Sequence, residues 1–108
     1  MKRATPLACY TPEAYIVDVR YVLDPAKDKI NRAKHGVSLA LAEVLFAGPH
    51  VSFTDDRFEY GETREIAFGL INGRLFACVC ADGDGERRVI SLRKATKREV
   101  RRYGENLE

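Results

Sequence analysis

The chain has 108 residues, of which 45% are hydrophobic and 31% are charged. This size and composition are typical of one globular domain and exclude a disordered chain. The formal net charge is only +2, but residues 87–108 hold eight basic residues against three acidic ones. A basic end of this kind predicts a polyanionic partner, and the alternative is a solvated helix face rich in arginine.

No apolar run reaches the length of a bilayer span, and the first residues lack the apolar stretch of a signal peptide. We therefore expect a cytoplasmic protein without a membrane partner. Residues 1–15 contain two prolines and show no period, which predicts a flexible extension ahead of a single domain at 16–108. The domain is predicted to open with a strand at Ile16–Leu23, which is rich in β-branched and aromatic residues.

Two helices are predicted to follow this strand. Asp24 is a suitable N-cap for the first helix, Pro25 suits its first position, and Gly36 is expected to end it after His35. Ser38 is expected to cap a second helix, and four apolar residues at helical spacing are expected to face the core. These four residues are Leu39, Ala42, Leu45 and Phe46.

The remainder of the chain predicts four strands joined by tight turns, and then a last helix. The strands are expected at Val51–Thr54, Thr63–Ile71, Arg74–Ala81 and Glu86–Arg93. Asn72–Gly73 is a strong hairpin signal because both residues tolerate positive φ. Thr96–x–x–Glu99 is a capping box that predicts the start of the last helix, with Val100, Tyr103 and Leu107 as its apolar stripe.

The predicted order β-α-α-β-β-β-β-α indicates an α+β fold. Consecutive hairpins predict a small antiparallel sheet, with two N-terminal helices and one C-terminal helix. The chain has three cysteines, an odd number that fits a reducing compartment. We interpret Cys78 and Cys80 as small core residues, because no third or fourth ligand lies near them to make a metal site. The sequence accordingly predicts no metal and no cofactor.

Lys34 and His35 are candidates for proton transfer, because both lie in the last turn predicted for the first helix. The negative end of the helix dipole favours the protonated form of such a histidine. The structural alternative is that His35 only hydrogen-bonds a free carbonyl at the helix end. Lys34 shares one polar side of the predicted helix with Lys27 and Asn31, because the three residues lie at positions i, i+4 and i+7.

Arg64 and Arg93 are candidates for binding phosphate. Arg64 shares a predicted strand face with Ile66 and Phe68, and burying an unpaired guanidinium there would be costly. If their strands are near neighbours, the two arginines can clamp a phosphate. The alternative is that each pairs with an Asp or Glu, for which Glu62, Glu65, Asp55 and Asp56 are available. Four further cations in the last helix are candidates for binding RNA or a protein partner: Lys97, Arg98, Arg101 and Arg102.

Three segments resemble a known family. The run DPAKDKINRAKHGVSLALAEVLF (Asp24–Phe46) is similar to the beginning of BrnT toxins, and RRVISLRKATKREVRRY (Arg87–Tyr103) is similar to their ending. ETREIAFG (Glu62–Gly69) matches their middle strand. The resemblance covers about residues 17–104. The chain departs from the family at Leu23, where Trp is frequent, and at Leu41–Ala42, which replaces an acidic pair.

The resemblance implies a RelE-like fold and a metal-independent endoribonuclease that inhibits translation. It also implies a cognate BrnA-like antitoxin of the ribbon-helix-helix DNA-binding kind, so that DNA would be contacted only through the antitoxin. It draws attention to five residues: Lys34, His35, Arg64, Arg93 and Glu99. The alternative hypothesis is a non-catalytic module that binds such a DNA-binding protein and modulates promoter repression.

Overall fold

The computed structural model describes residues 19–55, 62–83 and 85–104. The predicted extension at 1–15, the start of the predicted first strand and Leu107 lie outside these residues. The elements are β1 (Arg20–Val22), α1 (Pro25–His35), a 3₁₀ turn (Leu39–Leu41), α2 (Ala42–Ala47), β2 (His50–Asp55), β3 (Arg64–Ile71), β4 (Arg74–Gly83), β5 (Glu86–Lys94) and α3 (Lys97–Tyr103). The predicted α+β class and element order are confirmed.

Helix α1 begins and ends where its capping residues predict. The Asp24 side chain accepts a hydrogen bond from the Ala26 amide at 3.0 Å, and Pro25 occupies the first turn. Gly36 has a φ of 78° and its N–H donates to the Arg32 carbonyl. A residue with a side chain is disfavoured in this left-handed conformation, so the glycine defines the end of the helix.

The predicted second helix is divided into a 3₁₀ turn and the short α2. Ser38 caps the turn by accepting from the Ala40 amide at 3.1 Å, whereas α2 itself has no side-chain cap. Asp28 of α1 accepts from the Ser38 hydroxyl at 2.9 Å and from the Leu39 amide at 2.7 Å. These bonds tie the tight turn to α1, and the bond from the Leu39 amide is the main reason that the pKa of Asp28 is lowered.

The five strands form one mixed sheet in the order β1-β5-β4-β3-β2. Strands β2 to β5 are antiparallel neighbours, but β1 runs parallel to β5, with Tyr21 opposite Arg87. The prediction of a purely antiparallel sheet is therefore wrong for β1. Local turn signals specify the hairpins, including Asn72–Gly73 with φ values of 53° and 77°. They carry no information about which strand β1 joins after the intervening helices.

Each face of the sheet carries its own apolar cluster. The face covered by α2 packs Leu39, Ala42 and Leu45 against the sheet, and Phe46 is partly buried there. The buried, unbridged Cys78 and Cys80 confirm the interpretation of both as core residues. The opposite face, which we call the α3 face, packs Phe68, Leu75 and Ala77 against Tyr103.

The Tyr103 ring stacks on the Phe68 ring, with their centroids 4.4 Å apart. The apolar side of α3 therefore rests on β3, and the rest of α3 faces outward. No helix in the described part of the chain is long and apolar enough to cross a membrane.

Asn31 joins α1 to the open edge of β5. Its amide group donates to the Leu92 carbonyl at 2.8 Å and its side-chain oxygen accepts from the Leu92 amide at 3.2 Å. It also donates to the Val37 carbonyl at 3.0 Å. Asn31 is only 5% exposed, so the polar helix face that it shares with Lys27 and Lys34 is covered at Asn31. Side-chain spacing identifies a shared helix face but does not show which part of that face is covered.

Candidate RNA-binding site

The end of β5 meets the start of α3 through a two-pronged ion pair. Arg93 Nη1 and Nη2 donate to the two Glu99 carboxylate oxygens at 2.9 and 3.0 Å. Glu99 also accepts from the Thr96 amide at 2.8 Å, and the Thr96 hydroxyl accepts from the Glu99 amide at 3.2 Å. The capping box is confirmed. The hydrogen bonds from Arg93 are the main reason that the pKa of Glu99 lies below its ordinary value.

Arg93 keeps one side of its guanidinium available. Nη1 is engaged by Glu99 and by the Lys94 carbonyl at 3.3 Å, while one N–H of Nη2 is engaged by Glu99. The Nε–H and the second N–H of Nη2 have no partner among the described residues. These two donors point the same way and match two oxygens of a phosphate. Glu99 thus fixes the guanidinium by one edge and leaves the other edge for a ligand.

Lys34 and His35 lie toward the same end of β5. Val22 of β1 pairs with Arg88 of β5, and Asn31 of α1 bonds to Leu92, which is four residues later in β5. From β1 to α1 the chain therefore runs in the same direction as β5. Lys34 and His35 are roughly 5 Å further along the helix axis than Asn31. Neither side chain makes a hydrogen bond or ion pair within the part of the chain that the structure describes. The structural alternative for His35, a hydrogen bond to a free helix-end carbonyl, is not observed.

Arg64 belongs to a second cluster on the α3 face. Its Nε donates to Glu62 Oε2 at 3.1 Å, and Arg88 Nη2 contacts the same oxygen. The contact with Arg88, followed by the one with Arg64, lowers the pKa of Glu62. The pairing of Arg64 with Glu62 is the carboxylate alternative that the sequence offered, whereas Arg88 as a second cation on Glu62 was not predicted. Their proximity follows from strand register, because Ala81 of β4 lies opposite Arg88.

The predicted clamp of Arg64 with Arg93 is not formed by neighbouring strands. Arg64 lies on β3 and Arg93 on β5, with β4 between them. Arg93 is opposite Ala77, which is opposite Phe68, four residues along β3 from Arg64. Strand rise and spacing place the two Cα atoms about 16 Å apart. Each arginine pairs with a carboxylate, so they offer two separate anion contacts on one face.

Arg87 does not contribute to the basic surface that the sequence predicts. Its Nε and Nη2 donate to the Asp82 carboxylate at 2.9 and 3.1 Å. Its guanidinium carbon lies 4.0 Å from the centroid of the Phe46 ring. Burial works against the charged form, but the Asp82 contact outweighs it and raises the pKa of Arg87. This side chain has a structural role on the face opposite Arg88, because neighbouring residues of a strand point to opposite faces.

The four cations of α3 remain exposed. Helical spacing places Lys97 and Arg101 on one side and Arg98 and Arg102 on another. Among the described residues, none of the four pairs with a carboxylate. Nor does any group of three or more His, Cys, Asp or Glu side chains within those residues suit a metal ion.

These observations define the class: a small α+β protein with two anchored arginines on one sheet face and, beside them, a basic helix whose cations pair with no carboxylate among the described residues. Residues 23–99 match the family model described as "Ribonuclease toxin, BrnT, of type II toxin-antitoxin system". The chain belongs to this family. The matched segment includes Lys34, His35, Arg64, Arg93 and Glu99. No curated protein matches the chain. Membership of the family implies a ribonuclease toxin with an RNA target and an antitoxin partner.

Proposed function

We propose that this protein is a RelE-like endoribonuclease toxin that cleaves RNA without a metal ion and thereby inhibits translation. In this proposal a cognate antitoxin, a BrnA-like ribbon-helix-helix protein, neutralises it, and the toxin meets DNA only through that antitoxin. The observation that carries the proposal is the geometry of Arg93. Glu99 holds this guanidinium by one edge, and the other edge presents two donors that have no partner among the described residues.

The reaction that suits this arrangement is attack of a ribose 2′-oxygen on the adjacent phosphorus. The bond from phosphorus to the 5′-oxygen breaks, which gives a cyclic phosphate and a free 5′-hydroxyl. One group must take the proton from the 2′-hydroxyl and another must donate a proton to the leaving 5′-oxygen. His35 and Lys34 are the candidates for these two transfers. Arg93 would stabilise the charge that develops on the phosphate oxygens.

The other arginines would hold the rest of the RNA strand. Arg64 and Arg88 share Glu62 and lie about 16 Å or less from Arg93 along the same face, so they would contact a different phosphate of the bound strand. Arg98 and Arg102 lie on the side of α3 that adjoins Glu99. Contacts of this kind with the phosphate backbone depend on salt and tolerate many sequences.

The test is cleavage of a labelled single-stranded RNA in the presence of EDTA. Arg93→Ala removes the anchored donors, so cleavage should fall by about 10² to 10³-fold. Cleavage by Lys34→Ala and by His35→Ala should each be about 10²-fold slower than by the wild type, as expected for loss of a proton-transfer group. Lys29→Ala is the matched control on α1, because Lys29 is exposed and has no described ion pair.

Wild-type protein that leaves RNA intact in EDTA but cleaves it with added Mg²⁺ would disprove metal independence. Full activity in Arg93→Ala would disprove the proposed site.

The second candidate function is a non-catalytic module that binds the antitoxin and modulates promoter repression. The observation that favours it is that both Arg64 and Arg93 already hold carboxylates. Expression of the protein alone separates the two functions. A catalytic toxin arrests growth and Arg93→Ala relieves the arrest, whereas a binding module leaves growth unchanged in both cases.

A further inference from the structure

A shallow groove separates the start of β4 from α3, on the side of the helix away from Glu99. Its volume is about 310 Å³. Leu75, Ala95 and Val100 form an aliphatic floor, and three cations surround it: Arg74, Lys97 and Arg101. Val100 is 44% exposed although it is a large apolar residue in a helix. The groove therefore offers apolar contact at its centre and positive charge at its rim.

The rim cations lack carboxylate partners within the described residues. This distinguishes them from Arg64, Arg88 and Arg93, each of which contacts a glutamate. Unneutralised charge beside a low-dielectric floor attracts anions more strongly than the same charge in a paired cluster. The groove is thus complementary to a ligand that is acidic at its edges and apolar at its centre.

Helix α3 keeps this groove apart from the candidate RNA-binding site. Lys97 and Arg101 are four residues apart and share the helix side that lines the groove, with Val100 beside them. Arg98 and Arg102 share another side, next to Glu99 around the helix axis. The four cations of α3 therefore serve two surfaces and not one.

The floor of the groove favours a peptide over RNA. Single-stranded RNA is held by aromatic side chains on which its bases stack, and none of the described residues that line this groove is aromatic. The Tyr103 ring instead stacks on Phe68 against the sheet. An aliphatic side chain such as Leu or Ile fits a floor of this size and chemistry, and neighbouring carboxylates would meet the three cations.

We propose that this groove binds an acidic peptide segment with an aliphatic anchor residue, and that the antitoxin supplies the segment. The assignment to the antitoxin rests on the proposed function, whereas the peptide-binding chemistry stands on the groove alone. The antitoxin would dock next to the RNA-binding site without replacing Glu99 on Arg93.

The test is fluorescence anisotropy of the full chain with three labelled probes. The first is a short peptide of alternating Glu and Leu, the second is the same peptide with Ser in place of Leu, and the third is an oligouridylate. Lys97→Gln with Arg101→Gln removes two rim cations, and Arg98→Gln with Arg102→Gln is the matched control on the same helix. All four residues are exposed, and circular dichroism verifies that both variants are folded.

The Glu-Leu peptide should bind the groove variant roughly five- to thirtyfold more weakly than the wild type, as expected for the loss of two exposed charge contacts. The control variant should bind it within about twofold of the wild type, which is the range of surface substitutions away from a site. The Ser peptide should bind more weakly than the Glu-Leu peptide, because it has no apolar anchor.

Three results would overturn the proposal: no binding of the Glu-Leu peptide by the wild type, equal losses in the groove and control variants, or loss in the groove variant of oligouridylate binding alone. The last result would assign the groove to RNA. RNA cleavage by the same variants without peptide provides the separate readout. If the wild type binds the peptide but cleaves no RNA, the proposed function is refuted and the proposal that the groove binds a peptide still stands.

Discussion

The arginines of β5 and the cations of α3 are close in the chain but differ in their partners. Arg87, Arg88 and Arg93 each contact a carboxylate. The four cations of α3 contact none within the described residues. A paired guanidinium is fixed in orientation and can meet a ligand at a defined point, whereas an unpaired cation contributes mainly to the long-range attraction of anions. The basic segment therefore combines arginines of fixed orientation on β5 with cations on α3 that contribute a long-range positive potential.

The largest expected effect tests whether orientation matters at Arg93 and not at Arg101. Arg93→Lys keeps the charge but loses the fork that binds Glu99 and a phosphate together, so RNA cleavage should fall by about 10²-fold. Arg101→Lys keeps the charge of an unpaired cation, so cleavage should stay within about twofold of the wild type. Single-turnover cleavage rates measure both. Equal losses would show that charge alone decides the activity.

The next effect tests the structural role of Arg87. Arg87→Ala removes a two-pronged bond to Asp82 and a cation–π contact with Phe46. We expect the free energy of unfolding to fall by about 2 kcal/mol. Arg98→Ala, which removes an exposed and unpaired cation, should change it by no more than about 0.5 kcal/mol. Urea denaturation measures both, and a comparable loss in Arg98→Ala would contradict the distinction between the two regions.

The smallest effect concerns the pH dependence of stability. Arg93 lowers the pKa of Glu99 below its ordinary 4.5 in the folded state. The stability contributed by this ion pair is therefore complete above pH 4.5 and is lost as the pH falls through the lowered folded value. Glu99→Gln keeps a capping-box side chain but removes the titration. As the pH falls below 4.5, the wild type should therefore lose stability more steeply than Glu99→Gln.

Urea titrations at a series of pH values measure this difference. Thr96→Ala is the control, because it weakens the cap and leaves the Arg93 pair in place. Parallel pH profiles for the wild type and Glu99→Gln would show that the pair adds no stability.

Local signals in the sequence predicted most of the fold. The features predicted correctly each depend on residues that are close together in the chain, so the local sequence is enough to identify them. They are the Asp24 and Gly36 caps, the Asn72–Gly73 hairpin and the Thr96 capping box. The parallel pairing of β1 with β5 depends on contacts between distant segments. Periodicity assigns residues to a face but does not identify the neighbouring strand.

The candidate site was predictable in its residue types and less so in its arrangement. Arg64 and Arg93 were identified from arginine on a strand face, and each proved to hold a glutamate. Glu62 was among the carboxylates considered for Arg64, but its contact with Arg88 was missed because the two residues meet only through strand register. The burial of Asn31 was not predicted because its partner, Leu92, is 61 residues away. Interactions over such distances leave no local pattern.

The Asn31 side chain has a mechanical consequence. Its amide bonds the strand's backbone as another peptide unit would, and it fastens α1 to the residue just before Arg93. Lys34 and His35 follow Asn31 in the same helix, so the end of α1 is linked through the Leu92 backbone to the strand segment that carries Arg93. Asn31→Asp, which exchanges a donor for a second acceptor at the same volume, would disconnect the two elements without opening a cavity.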